Sequence, residues 1–405
     1  MTERVSNGAR YLFLDNIKVL FTILVIFWHV MVTYVETGWW YYKEVSVPDP
    51  IIEILFLLLS SIGGLFQVSL LGLFFLLGVY FTPKSYDRKG VYDFWKDRLI
   101  RLGIPLLLYT LLINPIIIFT LSKLGFSPWN TDPSLQGSLL DYYMNRFLSW
   151  DDFIKFLSFA GPMWFLKILL IFTTVYTLWR QITKLKLVKQ KIPNQLSIPR
   201  YSYLLLLVIG LGFLTFLVRI FLPIDDRPLE IPWGQLIQYM MMFSIGVISV
   251  RCLWFEKITK RHVKIWLVTI VVVLVIIYID FFIAIAMDVD FIDFSGGVNF
   301  HAFLFAMVDN VICMGVIFIL IKLFYAKFNK QGPILRNLST SAYHMYLIHP
   351  IVLLCVSLGL ISLNITPIIK IIILFLLSVI LCYLISHYVL EKLHLKIPHK
   401  DVQNP

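Results

Sequence analysis

Apolar runs of about 20 residues recur along almost the whole of this chain, and that length is what a helix needs to cross a hydrocarbon layer of about 30 Å. A bilayer interior offers backbone amides no water, so each run must close its own hydrogen bonds as a helix. The runs place spans near 12–35, 58–82, 102–122, 162–181, 202–222, 234–253, 264–286, 301–324, 338–361 and 368–389. The second run is long enough for Gly63 and Gly64 to break it, leaving 51–62 as an interfacial helix. With 59% apolar and only 15% charged residues, a soluble surface could not be covered. The expected fold is therefore all-α: a polytopic integral membrane bundle of about ten transmembrane helices. Residues 1–11 form a cytoplasmic tail, 12–390 the membrane domain, and 391–405 a second cytoplasmic tail. The first run carries no small-residue cleavage site and reads as a retained span.

The net charge of +11 would suggest nucleic acid in a soluble protein, but here the cations sit in the links between spans. Of the 35 lysines and arginines, 26 fall in the N-terminal segment, the C-terminal segment and the links after even-numbered spans, against six in the opposite links (Lys43, Lys123, Arg146, Lys155, Arg219 and Arg227). This asymmetry puts both ends of the chain in the cytoplasm, N-in and C-in, and requires an even number of spans. Nucleic acid is excluded as a partner and membrane lipid is implied. The longest outer link, about 124–161, has room for a small lid. The four cysteines lie in or beside apolar runs without CxxC spacing, so they read as small buried hydrophobes. No metal-ligand spacing, phosphate loop or GxSxG motif is present, so the expected metal set is none and no tightly bound cofactor is expected.

Ionisable groups inside hydrocarbon cost about 2.5–3.5 kcal/mol each on insertion scales, so each needs a partner, a wet cavity or a task. The first span holds Asp15, Lys18, Thr22 and His29. Lys18 and His29 are eleven residues apart, close to the same helix face and about 16 Å apart along the axis. Snorkelling to the inner surface also accounts for Lys18, and an interhelical hydrogen bond for His29. In the ninth span Ser339, Tyr343, Tyr346 and His349 share one polar stripe, followed by Pro350, which frees a carbonyl. Packing between spans explains the tyrosines better than catalysis does. The eighth span carries Asp309 and Asn310 at mid-depth, where Asp309 could orient a histidine, neutralise Lys18 or serve as a purely structural partner. Trp164 and Lys167 open the fourth span after Pro162. Arg98 and Arg101 lie one turn apart at the cytoplasmic surface, a spacing that suits bidentate contact with phosphate, whether from a ligand or from lipid.

Taken in order, these motifs resemble the acyltransferase 3 family of polytopic membrane O-acyltransferases over about residues 10–390. The match rests on Arg10-Tyr11-Leu12-Phe13-Leu14-Asp15-Asn16-Ile17-Lys18 through Phe27-Trp28-His29, where a basic residue, ten others and a histidine form the family's opening signature. Lys18 stands where arginine is usual. Phe74-Phe75-Leu76-Leu77-Gly78 fits too, with Leu77 where a serine is common, as do Arg98-x-x-Arg101 before Pro105, Trp164-Phe165-Leu166, and Tyr343-x-x-Tyr346-Leu347-x-His349. The opening and the Arg101-Leu102-Gly103-Ile104-Pro105 run look most like the branch typified by periplasmic glucan succinyltransferases. The resemblance implies an acyl-CoA co-substrate in the cytoplasm, an extracytoplasmic carbohydrate acceptor and a plasma-membrane location. The residues themselves suggest His29, Lys18 and Asp309 as the catalytic set, with donor contacts from Arg10, Arg98 and Arg101. Acceptor contacts are expected from Trp164, Lys167, Tyr343, Tyr346 and His349, with a core cavity lined by spans one, eight and nine. A polysaccharide exporter is the rival reading of the same ten spans.

Overall fold

The computed structural model describes residues 11–34, 39–44, 70–126, 135–184 and 196–390. Its principal helices are α1 (Leu12–Tyr34), α2 (Leu70–Tyr80), α3 (Thr82–Lys123), α4 (Leu139–Arg146), α5 (Trp150–Ser158), α6 (Trp164–Lys184), α7 (Tyr201–Phe221), α8 (Trp233–Cys252), α9 (Lys260–Ala286), α10 (Phe300–Lys327), α11 (Pro333–Leu360) and α12 (Pro367–Leu384). Among the described residues, nine helical stretches are long and apolar enough to cross a membrane. The shorter apolar α2 marks the described part of the expected second span, whose earlier residues, with the 51–62 helix, lie outside those described. The chain divides into two compact units: residues 1–53 with 328–405, and residues 54–327.

In the first unit, α1 packs on α11 and α12, and α11 on α12. Proline opens both α11 and α12, a position where the missing N–H costs nothing. The N-terminal approach to α11 is tied to α1 by Asn16, whose Nδ2 donates to Phe328 O (2.6 Å) and Lys330 O (3.1 Å). Deeper along the same face, Thr22 Oγ1 donates to Lys18 O (3.0 Å) and to Ala342 O (3.4 Å). The outer face of α12 is apolar and exposed, as a lipid-facing surface must be.

In the second unit α10 is central, packed on α7 and α9, with 72% of its apolar window buried against 22% for α9. Small residues permit close approach: a Cβ on Gly246 of α8 would lie 2.6 Å from Leu76 O of α2. Phe75 of α2 is fully buried, with its ring 4.7 Å from Phe165 and 4.8 Å from Tyr239. The Phe74-Phe75 and Trp164-Phe165 motifs are thus packing partners. The 42-residue α3 contains two π-helical turns, Leu99–Gly103 and Tyr109–Ile113. Each includes the residue four before a proline, Pro105 or Pro115, whose missing N–H leaves that carbonyl without its α-helical donor. The Tyr143 hydroxyl takes up one of these, donating to Leu111 O at 2.7 Å. In the long link before α6, α4 and α5 are short helices capped by Ser138 and Ser149. The Ser138 hydroxyl and amide both serve Asp141, and those hydrogen bonds hold its carboxyl below the usual range. Leu140, Leu148 and Trp150 face outward from this pair of helices, the pattern of an element lying in a membrane interface.

Candidate functional site

Two histidines that lie 320 residues apart in the chain meet in the first unit. The imidazoles of His29 on α1 and His349 on α11 have ring centroids 5.0 Å apart. Trp40, from the segment that follows α1, lies 4.4 Å from the His29 ring and stacks near-parallel to His349 at 6.5 Å. His349 is fully buried and His29 half-buried.

Backbone chemistry fixes how each ring presents itself. Pro350 has no N–H, so the carbonyl of Tyr346 loses its normal helical donor. His349 Nδ1 lies 2.5 Å from that oxygen and serves as the substitute donor. His29 Nδ1 lies 2.8 Å from Val25 O, one turn back on α1. In both rings a carbonyl at Nδ1 requires the proton there, which leaves Nε2 as the basic nitrogen of the neutral imidazole. His349 Nε2 is buried without a hydrogen-bond partner among the described residues. The Tyr-x-x-His-Pro run therefore builds an oriented base. Replacing Pro350 with alanine restores a competing N–H at Tyr346 O. The expected result is a loss of tautomer control at His349, seen as a shifted histidine ring-nitrogen signal in NMR, with an intact helix.

The other residues singled out from sequence fall as follows. Lys18 Nζ pairs with Asp15 Oδ1 at 3.1 Å near the N-terminal start of α1. Tyr346 lies 5.6 Å from the His349 ring, and Tyr343 stands one turn earlier on α11. Arg10 lies outside the described residues. In the second unit Arg98 Nη2 donates to Thr82 Oγ1 at 2.6 Å, with its guanidinium over Phe94. Arg101 pairs with Asp97 at 3.0 Å, and Lys89 reaches the same carboxylate at 3.1 Å. Arg101 lies inside the first π turn, so the Arg98–Arg101 step does not follow α-helical spacing. Trp164 stacks on Tyr239 with centroids 6.0 Å apart. Lys167 Nζ donates to Ser158 O (2.8 Å) and Leu229 O (2.7 Å), tying together two connections at that end of the unit.

Asp309 has a partner the sequence did not suggest. Its carboxylate meets Arg219 Nη2 of α7 at 2.6 Å, and both side chains are essentially inaccessible. Arg219 also donates to Gly234 O at 2.9 Å, and Gln238 Nε2 donates to the backbone oxygen of Asp309 at 3.3 Å. Of the expected roles, orienting a histidine and neutralising Lys18 give way to the structural one, a buried ion pair within the second unit. Its cause is plain: an arginine that reads as an outer-link cation is in fact within the last turn of α7. Lys370 likewise has a partner that its local sequence does not name. It is an isolated cation inside the run Pro367-Ile368-Ile369-Lys370-Ile371, and it pairs with Glu44 at 2.5 Å. That isolation within an apolar run was the available signal.

Among the described residues, no group of three or more His, Cys, Asp or Glu is arranged to hold a metal ion. A family model described as an acyltransferase domain matches residues 11–387. No curated protein and no solved structure matches the chain.

Proposed function

The chain belongs to the acyltransferase 3 family, as a multi-pass membrane enzyme that transfers groups other than amino-acyl groups, and from that premise we propose that it moves an acetyl or succinyl group from cytoplasmic acyl-CoA to a hydroxyl of an extracytoplasmic glycan. The plasma membrane is the proposed location, with both termini in the cytoplasm. The observation that carries the reading is the imidazole pair, because each ring is tied through Nδ1 to a helix carbonyl and so keeps Nε2 basic.

In the proposed reaction His29 Nε2 accepts the proton of the acceptor hydroxyl as its oxygen attacks the thioester carbonyl. The C–O bond forms, the C–S bond breaks, and the CoA thiolate leaves with the proton returned by His29. An acyl group carried first on His29 Nε2 is the variant route, with the same overall balance. Two imidazoles 5.0 Å apart disfavour double protonation, so His349 limits the pair to at most one positive charge and keeps a proton acceptor available. Lys18, with Arg10, supplies positive charge toward the donor. Tyr343 and Tyr346 extend the polar face of α11 beside His349, and Trp164 and Lys167 serve the acceptor side of the second unit. Asp309 acts indirectly, by holding α7 to α10 through Arg219.

Arg98 and Arg101 are proposed to bind the phosphates of acyl-CoA, which needs no tightly held cofactor. Their present partners, a threonine hydroxyl and a carboxylate, are the kinds of acceptor that phosphate oxygens replace. Replacing both arginines with alanine is expected to raise the KM for acyl-CoA by at least about tenfold. Steady-state kinetics with varied acyl-CoA checks this, and an unchanged KM removes both residues from donor binding.

A further inference from the structure

The link between α3 and α6 carries a surface that water does not suit. Its helices α4 and α5 have only eight and nine residues, yet each is apolar on two faces. One face turns into the unit, where Tyr142 and Phe156 are buried and the Tyr143 ring lies 5.9 Å from that of Phe156. The other face turns away from it. Leu140, Met144, Phe147 and Leu148 follow helical spacing along α4 and its last turn, and Trp150 and Leu157 do so along α5. All six are 41–75% exposed. Surfaces of this kind mark a contact with lipid or with another protein.

Hydrogen bonds fix the level at which this pair of helices sits. Tyr143 Oη donates to Leu111 O at 2.7 Å, and Asn114 Nδ2 donates to Phe159 O at 2.9 Å. Leu111 precedes the end of α3 at Lys123 by twelve residues, about 18 Å of helix. The chain therefore leaves α3, reverses, and returns alongside it before α6 begins. At that level α3 is itself bare: Leu108, Leu112 and Ile116 form a stripe at four-residue spacing, each about half exposed. Within a span, such a stripe faces lipid. The apolar face of α4 and α5 thus lies level with a lipid-facing part of α3. Acyl chains can cover both surfaces together, whereas a folded partner would have to match each. Charge limits the depth. Asp151 and Lys155 are exposed on α5, and ions are costly in the hydrocarbon centre. Short helices with an apolar face beside an ionic one fit the headgroup boundary.

We infer that α4 and α5 form a re-entrant hairpin seated in the bilayer, its apolar face among the acyl chains just below the headgroups of the leaflet at this end of the second unit. The link is then a lipid-anchored element and not the water-side lid that its length alone suggests. The inference holds whatever group the enzyme transfers.

The test places a nitroxide label on single cysteines in the full-length protein, held in nanodiscs of phosphatidylcholine and phosphatidylglycerol. Cys355, the exposed one of the four native cysteines, is first replaced by alanine, and the other three are buried. Leu140→Cys, Leu148→Cys and Trp150→Cys report on the hairpin, Leu112→Cys on the lipid-facing side of α3, and Asp151→Cys on the polar side. All five positions are exposed, so each label is carried without disturbing the packed interior. Power-saturation spectroscopy then compares collisions with oxygen, which partitions into lipid, and with a water-soluble nickel chelate. The ratio of oxygen to nickel accessibility is expected to be several-fold higher at 140, 148 and 150 than at 151, and to approach that at 112. Nickel reaching 148 and 150 as readily as 151 would put the hairpin in water and overturn the inference. Neither reagent reaching them would show a protein surface, a second copy or a partner, in place of lipid, and would overturn it too.

Discussion

Replacing His29 with glutamine is expected to lower acyl transfer by about 10³-fold, in the range that a positioned general base contributes. Glutamine keeps an amide N–H able to reach Val25 O, the contact that now orients the imidazole. It offers no nitrogen that can take a proton near neutral pH. The variant should therefore unfold as the wild type does and bind acyl-CoA with the wild-type affinity, while CoA release falls. A weaker deficit is expected for His349→Gln, because His349 acts by limiting charge on the pair and by facing the acceptor. Kinetics of CoA release by both variants, with mass spectrometry of the acylated product, separates the two roles.

The largest stability effect is expected at Arg219 and Asp309. Their side chains are 0% and 1% exposed and 2.6 Å apart. Removing either one leaves a charge, or a proton taken up to cancel it, in a region without water. The single variants Arg219→Met and Asp309→Leu should each lose about 3–5 kcal/mol of stability. The double variant should recover most of that loss, since desolvating a pair costs much of what its attraction returns. Unfolding in mixed detergent micelles, followed by circular dichroism, measures all three. Full additivity of the two losses would mean the residues act separately and would remove the ion pair as the link between α7 and α10.

Much of this architecture could be read from the chain because bilayer thickness imposes a length on each element. Expected spans such as 202–222 and 368–389 coincide within a residue or two with Tyr201–Phe221 and Pro367–Val389. The histidine pair was half legible. Depth along α1 and α11 put both rings at a similar level, and Pro350 announced a freed carbonyl, but nothing local shows that His349 itself fills it. Prolines 105 and 115 carry the same message for the π turns of α3. Ion pairing was not legible. Arg219 and Asp309 are 90 residues apart, Lys370 and Glu44 326, and a lone charge in an apolar run does not name its partner. Arg219 reads as an outer-link cation because it stands near a span's end, where a long side chain can equally reach water or turn inward.

Sealed proteoliposomes test the central claim most directly. An oligosaccharide acceptor is enclosed in the lumen, and acyl-CoA labelled in its acyl group is supplied to the face that carries the chain termini. The account predicts labelled ester on the enclosed sugar, free CoA on the donor side, and neither when His29 is glutamine. Labelled sugar formed equally well by the His29→Gln protein, or free CoA with no ester on the enclosed sugar, would contradict it.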